Sequence, residues 1–118
     1  MPRKHVDEIE VLPVTVGTGV TYQVLIGPDQ ADNFAMRRFV IEPGGGMPAH
    51  TNRVEHEQYV LRGRARVGLG DEEIEVEQGD VVFIKAGEPH WYRNDGSEPF
   101  EFICVVPNKP DKTEILDR

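Results

Sequence analysis

Residues 44–63 read GGGMPAHTNRVEHEQYVLRG. Two of the chain's four histidines, His50 and His56, stand six residues apart in this stretch, with Asn52 two residues after the first. Along a β-strand, residues i and i+2 project to the same side, so His50 and Asn52 can address one point in space. His56 reaches that point from the next turn or strand, and His90, in HWYRN at 90–94, from a strand further on. Positions so distant in sequence converge in the interior of a barrel. Neutral imidazole is a ligand for Mn, Fe, Co, Ni, Cu and Zn, so the spacing points to a metal site. A plainer reading stands beside it, in which each histidine is an isolated polar side chain satisfied by a backbone carbonyl.

The rest of the chain supports a barrel or sandwich. Gly- and Pro-rich turns recur throughout: GTG (17–19), GPDQADN (27–33), EPGGGMP (42–48), GLGDEE (68–73), EQGD (77–80), AGEP (86–89) and NDGSEP (94–99). Between them lie short runs rich in Val, Ile, Phe and Tyr, among them VTYQVLI, FAMRRFVI, EQYVLRG, RARVGLG, EEIEVE, DVVFIKA, HWYRN and FEFICVVP. Short, evenly spaced strands without a long helical period specify an all-β fold. Alternation turns Ala35, Arg37, Phe39 and Ile41 to one side of their strand, the better inward face although it carries an arginine. It likewise sends Phe100, Phe102, Cys104 and Val106 inward, puts His90, Tyr92 and Asn94 on a shared face, and leaves Trp91 outside or at an interface. His5 is expected to be exposed. The polar tail NKPDKTEILDR is expected to fray or to pack against a neighbour.

Composition narrows the function. At 118 residues the chain is expected to form one domain, 1–118, able to bury roughly two-thirds of its unfolded surface. The net charge of −8 argues against a nucleic-acid partner and for a soluble protein. No apolar run approaches the roughly 20 residues of a membrane span. The N-terminus MPRKHVDEIE lacks the apolar segment of a signal peptide. The single Cys104 cannot form an internal disulfide and fits a reducing cytoplasm. DEEIEVEQGD reads as a solvated strand face and turn.

With both histidine stretches laid out, a resemblance emerges. Residues 44–63 resemble the first cupin motif, G-x5-H-x-H-x3-(E, Q or H)-x6-G, with Gly44, His50, Asn52, His56 and Gly63 at the motif positions. GDVVFIKAGEPHWYRN (79–94) resembles the second, G-x5-P-x-G-x2-H-x3-N, with Gly79, Gly87, His90 and Asn94 in place and Lys85 in the proline slot. The 15 residues between them match the short spacing of small microbial cupins, and the resemblance covers about residues 20–107. It implies a double-stranded β-helix, a jelly-roll-type barrel. The chain is further similar to compact thermophile monodomain cupins with a four-histidine site usually described with manganese, in which the motif's glutamate position is histidine.

That resemblance implies a divalent transition metal, manganese favoured and Fe, Cu, Ni or Zn possible, on His50, His56 and His90. Asn52 stands where the group has its second histidine, so the fourth donor is either its carbonyl oxygen, a weaker ligand, or water. Three neutral imidazoles leave the ion's charge uncompensated, which favours a small anionic or oxygen-rich partner. The expected pocket is lined by Phe39, Tyr92, Phe102 and Cys104 with Arg37 facing in, where a guanidinium can bind a carboxylate bidentately. The alternative pairs Arg37 with an acidic neighbour at a dimer edge. For Tyr92 and Cys104, packing competes with a role in catalysis. Glu55 and Glu57 either orient the histidine rings or are solvated. The expected activity is that of a dioxygen- or peroxide-using oxidoreductase on a small organic substrate. A non-catalytic binding or sensing module and an isomerase or lyase are the alternatives, because fold alone does not choose among them. The resemblance also implies a homodimer, in which the apolar segment IEVLPVTVGTGV, within about residues 6–20, is exchanged between protomers.

Overall fold

A computed structural model describes residues 2–116. After a single 3-10 turn at Val6–Glu8, every regular element described is a strand: β1 (Leu12–Pro13), β2 (Thr18–Ile26), β3 (Phe34–Thr51), β4 (His56–Arg62), β5 (Arg64–Leu69), β6 (Glu72–Glu77), β7 (Val81–Ile84), β8 (His90–Arg93), β9 (Phe100–Pro107) and β10 (Glu114–Ile115). No helix among these residues is long and apolar enough to cross a membrane. All eight apolar runs of the sequence form strands, and the strands form one curled sheet in the order β6-β5-β8-β3-β9-β4-β7.

The curl depends on β3. Its first half, Phe34 to Ile41, pairs with β9 and β2; its second half pairs with β8 and β10. EPGGGMP, expected to be a turn, is therefore a bend within a continuous strand. Gly44 has φ 84°, a left-handed conformation that glycine adopts at little cost. A Cβ on Gly46 would lie 2.3 Å from the Tyr92 carbonyl oxygen, so only glycine lets the crossing strands approach. Asn94, fully buried, secures the bend. Its Nδ2 donates to the carbonyls of Ile41 and Glu98, both at 2.9 Å, and its Oδ1 accepts from Gly96 N at 3.0 Å.

The inward residues follow the alternation. Ala35, Phe39 and Ile41 in β3, Phe100, Phe102 and Cys104 in β9, and His90, Tyr92 and Asn94 are all buried. Each large apolar side chain so placed contributes about 1.5–3 kcal/mol over its exposed state. Trp91 faces outward and lies over Gly68 of β5, where a Cβ would collide with the indole. His5 is exposed, and its Nδ1 accepts from Asp7 N.

Both termini pair with the sheet. The tail is not frayed: Glu114 and Ile115 pair with Thr51 and His50, and Leu116 N donates to Ala49 O at 2.8 Å. At the other end, Leu12 and Pro13 pair with Tyr22 and Thr21 of the same chain.

Candidate metal centre

His50 lies near the end of β3, directly across from His90 at the start of β8; His56 opens β4. The His50 and His90 ring centroids are 4.1 Å apart, and those of His56 and His90 5.7 Å. All three side chains are buried. His50 Nδ1 stands 2.7 Å from the Pro48 carbonyl, and His90 Nδ1 2.9 Å from that of Glu88. A carbonyl only accepts, so each Nδ1 carries the hydrogen and each Nε2 keeps its lone pair. The Nε2 atoms of His56 and His90 are buried without a hydrogen-bond partner among the described residues.

Burial makes these rings hard to protonate. It is the main cause that lowers His56 to about 3, reinforced by the positive charge of Arg37 and by that of His90 when protonated. His90 falls to about 4, again by burial and then by His50. His50 is lowered by burial too, with the Pro48 carbonyl and Asp111 opposing. At neutral pH all three are uncharged bases, the form that binds metal.

Asn52 borders the same cavity as the three histidines. Its Nδ2 donates to Thr113 Oγ1 at 2.8 Å and to Asp111 Oδ2 at 3.2 Å, while its Oδ1 is buried with no partner. Glu55 and Glu57 do not orient the imidazoles. Both are exposed, the carbonyls hold His50 and His90 instead, and a hydrogen bond with Glu55 pushes Glu57 up to about 7.

These residues border a cavity of about 300 Å³, at the lower end for small-molecule sites. It includes every residue expected at the site: His50, Asn52, His56, His90, Arg37, Tyr92 and Cys104, with Phe39 and Phe102. Arg37 lies with its guanidinium 5.0 Å from the Phe39 ring centre, and its Nη2 donates to Cys104 Sγ at 3.4 Å. Its Nε is buried and unpartnered, and no acidic side chain among the described residues forms an ion pair with it. The neighbouring arginine is paired: outward-facing Arg38 bonds Glu101 at 2.9 Å and Gln23 at 2.7 Å. Burial raises both the Tyr92 hydroxyl and the Cys104 thiol, so neither is a base at neutral pH.

Three contributors escaped the sequence reading. Gln58 donates to Tyr92 Oη at 2.8 Å and to Cys104 Sγ at 3.6 Å. Its signal was present, since it shares strand parity with His56. Asp111 and Thr113 carried no such signal, because their place depends on where the tail docks.

In donor chemistry the residues fit a divalent ion: two buried Nε2 atoms and one carboxamide oxygen lack partners, and the imidazoles are neutral. In spacing they are not closed, for no three His, Cys, Asp or Glu among the described residues form a group able to hold an ion as they stand.

Comparison with known proteins agrees with this architecture. The cupin domain family matches residues 37–106. The structure of the polyketide cyclase RemF from Streptomyces resistomycificus is 32% identical, with a TM-score of 0.88 over 100% of this chain and 88% of that one. An uncharacterized protein of Methanocaldococcus jannaschii is 36% identical over 61 residues, 50% of this chain and 49% of that protein. The 1-methylthio-D-xylulose 5-phosphate methylsulfurylase of Rhodospirillum rubrum is 28% identical over 96 residues, 81% of this chain and 61% of the enzyme. The chain thus spans about half the archaeal relative and three-fifths of the methylsulfurylase. Two histidine motifs meeting at one cavity, inside a barrel that this family matches over more than half its length, show that the chain belongs to the cupin family.

Proposed function

We propose that this cupin is a metal-dependent enzyme acting on a small anionic substrate that carries a carbonyl or enolate oxygen. His50, His56, His90 and the Asn52 oxygen would hold the ion, with manganese favoured and Fe, Cu, Ni or Zn accepted by the same donors. The observation that carries the proposal is the set of unpartnered atoms on one cavity: electron-pair donors on His56, His90 and Asn52, and a cationic N–H donor on Arg37. Unpaired buried polar groups are costly without a ligand, and together they are complementary to a cation and an anion side by side.

An ion held by these residues would supply Lewis-acid polarisation of a substrate oxygen. Arg37 binds the substrate's acidic group. Because Gln58 already donates to the Tyr92 oxygen, the Tyr92 hydroxyl hydrogen remains available to a developing oxyanion. Cys104 stays a thiol and forms part of the wall. The likeness to a polyketide cyclase supports carbonyl chemistry of the isomerase or lyase kind. Oxidation by dioxygen or peroxide is the second reading, compatible with the same neutral imidazole donors on the cavity. We place the protein in the cytoplasm, as its one cysteine is free and buried, and expect a homodimer.

Metal analysis and calorimetric titration of the metal-free protein with Mn(II) and Zn(II) test the centre. His56→Ala or His90→Ala should weaken binding at least about tenfold. Variants retaining full affinity would remove the ligand assignment. The loaded protein should convert β-keto carboxylates without consuming oxygen; uptake at an oxygen electrode would select the second reading. A single-protomer mass by light scattering at micromolar concentration would exclude the dimer.

A further inference from the structure

We infer that the C-terminal segment belongs to the metal centre, with Asp111 and Thr113 as positioning residues that set the Asn52 carboxamide oxygen toward the cavity. This rests on the metal reading above. A carboxamide has a donor end and an acceptor end, so in a ligand position something must select which end faces in. The tail does so. Both Asn52 Nδ2 hydrogens have acceptors there, Asp111 Oδ2 and Thr113 Oγ1. A carboxylate accepts only, so the reverse orientation would set oxygen against oxygen. The buried, unpartnered atom is accordingly Oδ1, which no described residue of the tail satisfies.

The device is itself anchored. Asp111 Oδ1 accepts from the backbone N–H of Arg53 at 2.7 Å and of Lys112 at 2.8 Å. β10 then pairs with Thr51 and His50, and Leu116 N bonds Ala49 O. Asp111 thus grips the Asn52 side chain and the residue after it, while β10 lies along the strand end that carries His50. Thr113 also lines the cavity. A tail serving only to cover the strand edge would need the β10 pairing but not the two acceptors on one amide.

The test uses the full chain and a double-mutant cycle read by Mn(II) calorimetry. Asp111→Ala with Thr113→Val should lower affinity about tenfold, as Asn52→Ala does, and combining all three should lower it no further. Thr113→Ser should restore wild-type binding. Wild-type affinity in the double variant, or losses that add to that of Asn52→Ala, would overturn the inference. If the double variant does not fold, the Thr113→Val and Thr113→Ser pair decides by the same criterion. Metal-free NMR separates this inference from the metal reading. A single, slowly exchanging Asn52 side-chain NH2 signal that is lost in Thr113→Val supports the positioning even if the wild type takes up no ion. A signal like that of an exposed asparagine would overturn it.

Discussion

Two buried asparagines lie near the two ends of the same half-strand, and the barrel treats them differently. Asn94, at the bend of β3, has both amide hydrogens and its oxygen in hydrogen bonds to backbone. Asn52, just past the other end, has its amide hydrogens satisfied and its oxygen left bare. The bend end is closed by protein alone. The other end keeps a polar atom that no described residue satisfies, beside two imidazole nitrogens in the same condition. Adjacent Arg37 and Arg38 repeat the lesson: the outward guanidinium is ion-paired, and the inward one has no acidic partner among the described residues and an Nε without a hydrogen bond. Complete satisfaction marks structure, and incomplete satisfaction around a cavity marks a site.

The sharpest way to break this contrast is Asn94→Ala. It strands the carbonyls of Ile41 and Glu98 and the N–H of Gly96, and should cost about 2–4 kcal/mol in urea unfolding. A loss below about 1 kcal/mol would mean that the bend is held by other means. Gly46→Ala attacks the same end by forcing a Cβ onto the Tyr92 carbonyl, and should cost about 1–3 kcal/mol.

At the open end, pH is the probe. His56 and His90 are lowered from 6.5 to about 3 and about 4, so between pH 6.5 and 4 the unfolded chain binds protons that the folded chain refuses. Stability of the metal-free protein should therefore fall as pH drops through that window. His56→Leu should make the slope shallower, and an unchanged slope would show that its ring is not shielded. The smallest stability effect is expected for Asn52→Ala. Two hydrogen bonds are lost, but a bare oxygen goes with them, so the change should stay within about 1 kcal/mol while Mn(II) affinity falls. A stability loss equal to that of Asn94→Ala would erase the distinction between the two ends.

Much of this site was legible beforehand because strand alternation is strictly local. Parity alone turned Arg37, Phe39, Phe102 and Cys104 inward and put His90 and Tyr92 on one face, and motif spacing set His50, His56 and His90 together. The same rule reaches Gln58, which follows His56 by two and was overlooked in favour of residues with more familiar chemistry. EPGGGMP was misread because glycine signals a departure from ordinary backbone without saying whether the strand ends or bends. Partners decide that, and here β8 and Asn94 pick up the chain on the far side of the bend.

By itself, then, the sequence determined an all-β barrel of the cupin kind, the inward faces of its strands and the histidines gathered at one end, since period-two alternation and motif spacing are properties of neighbouring residues. Only the tertiary structure decided that Arg37 has no acidic partner among the described residues, that backbone carbonyls rather than Glu55 and Glu57 set the tautomers of His50 and His90, and that the tail takes up the Asn52 amide hydrogens. Whether a polar atom is satisfied depends on every group that packs near it, and those groups come from strands that sequence distance does not bring together.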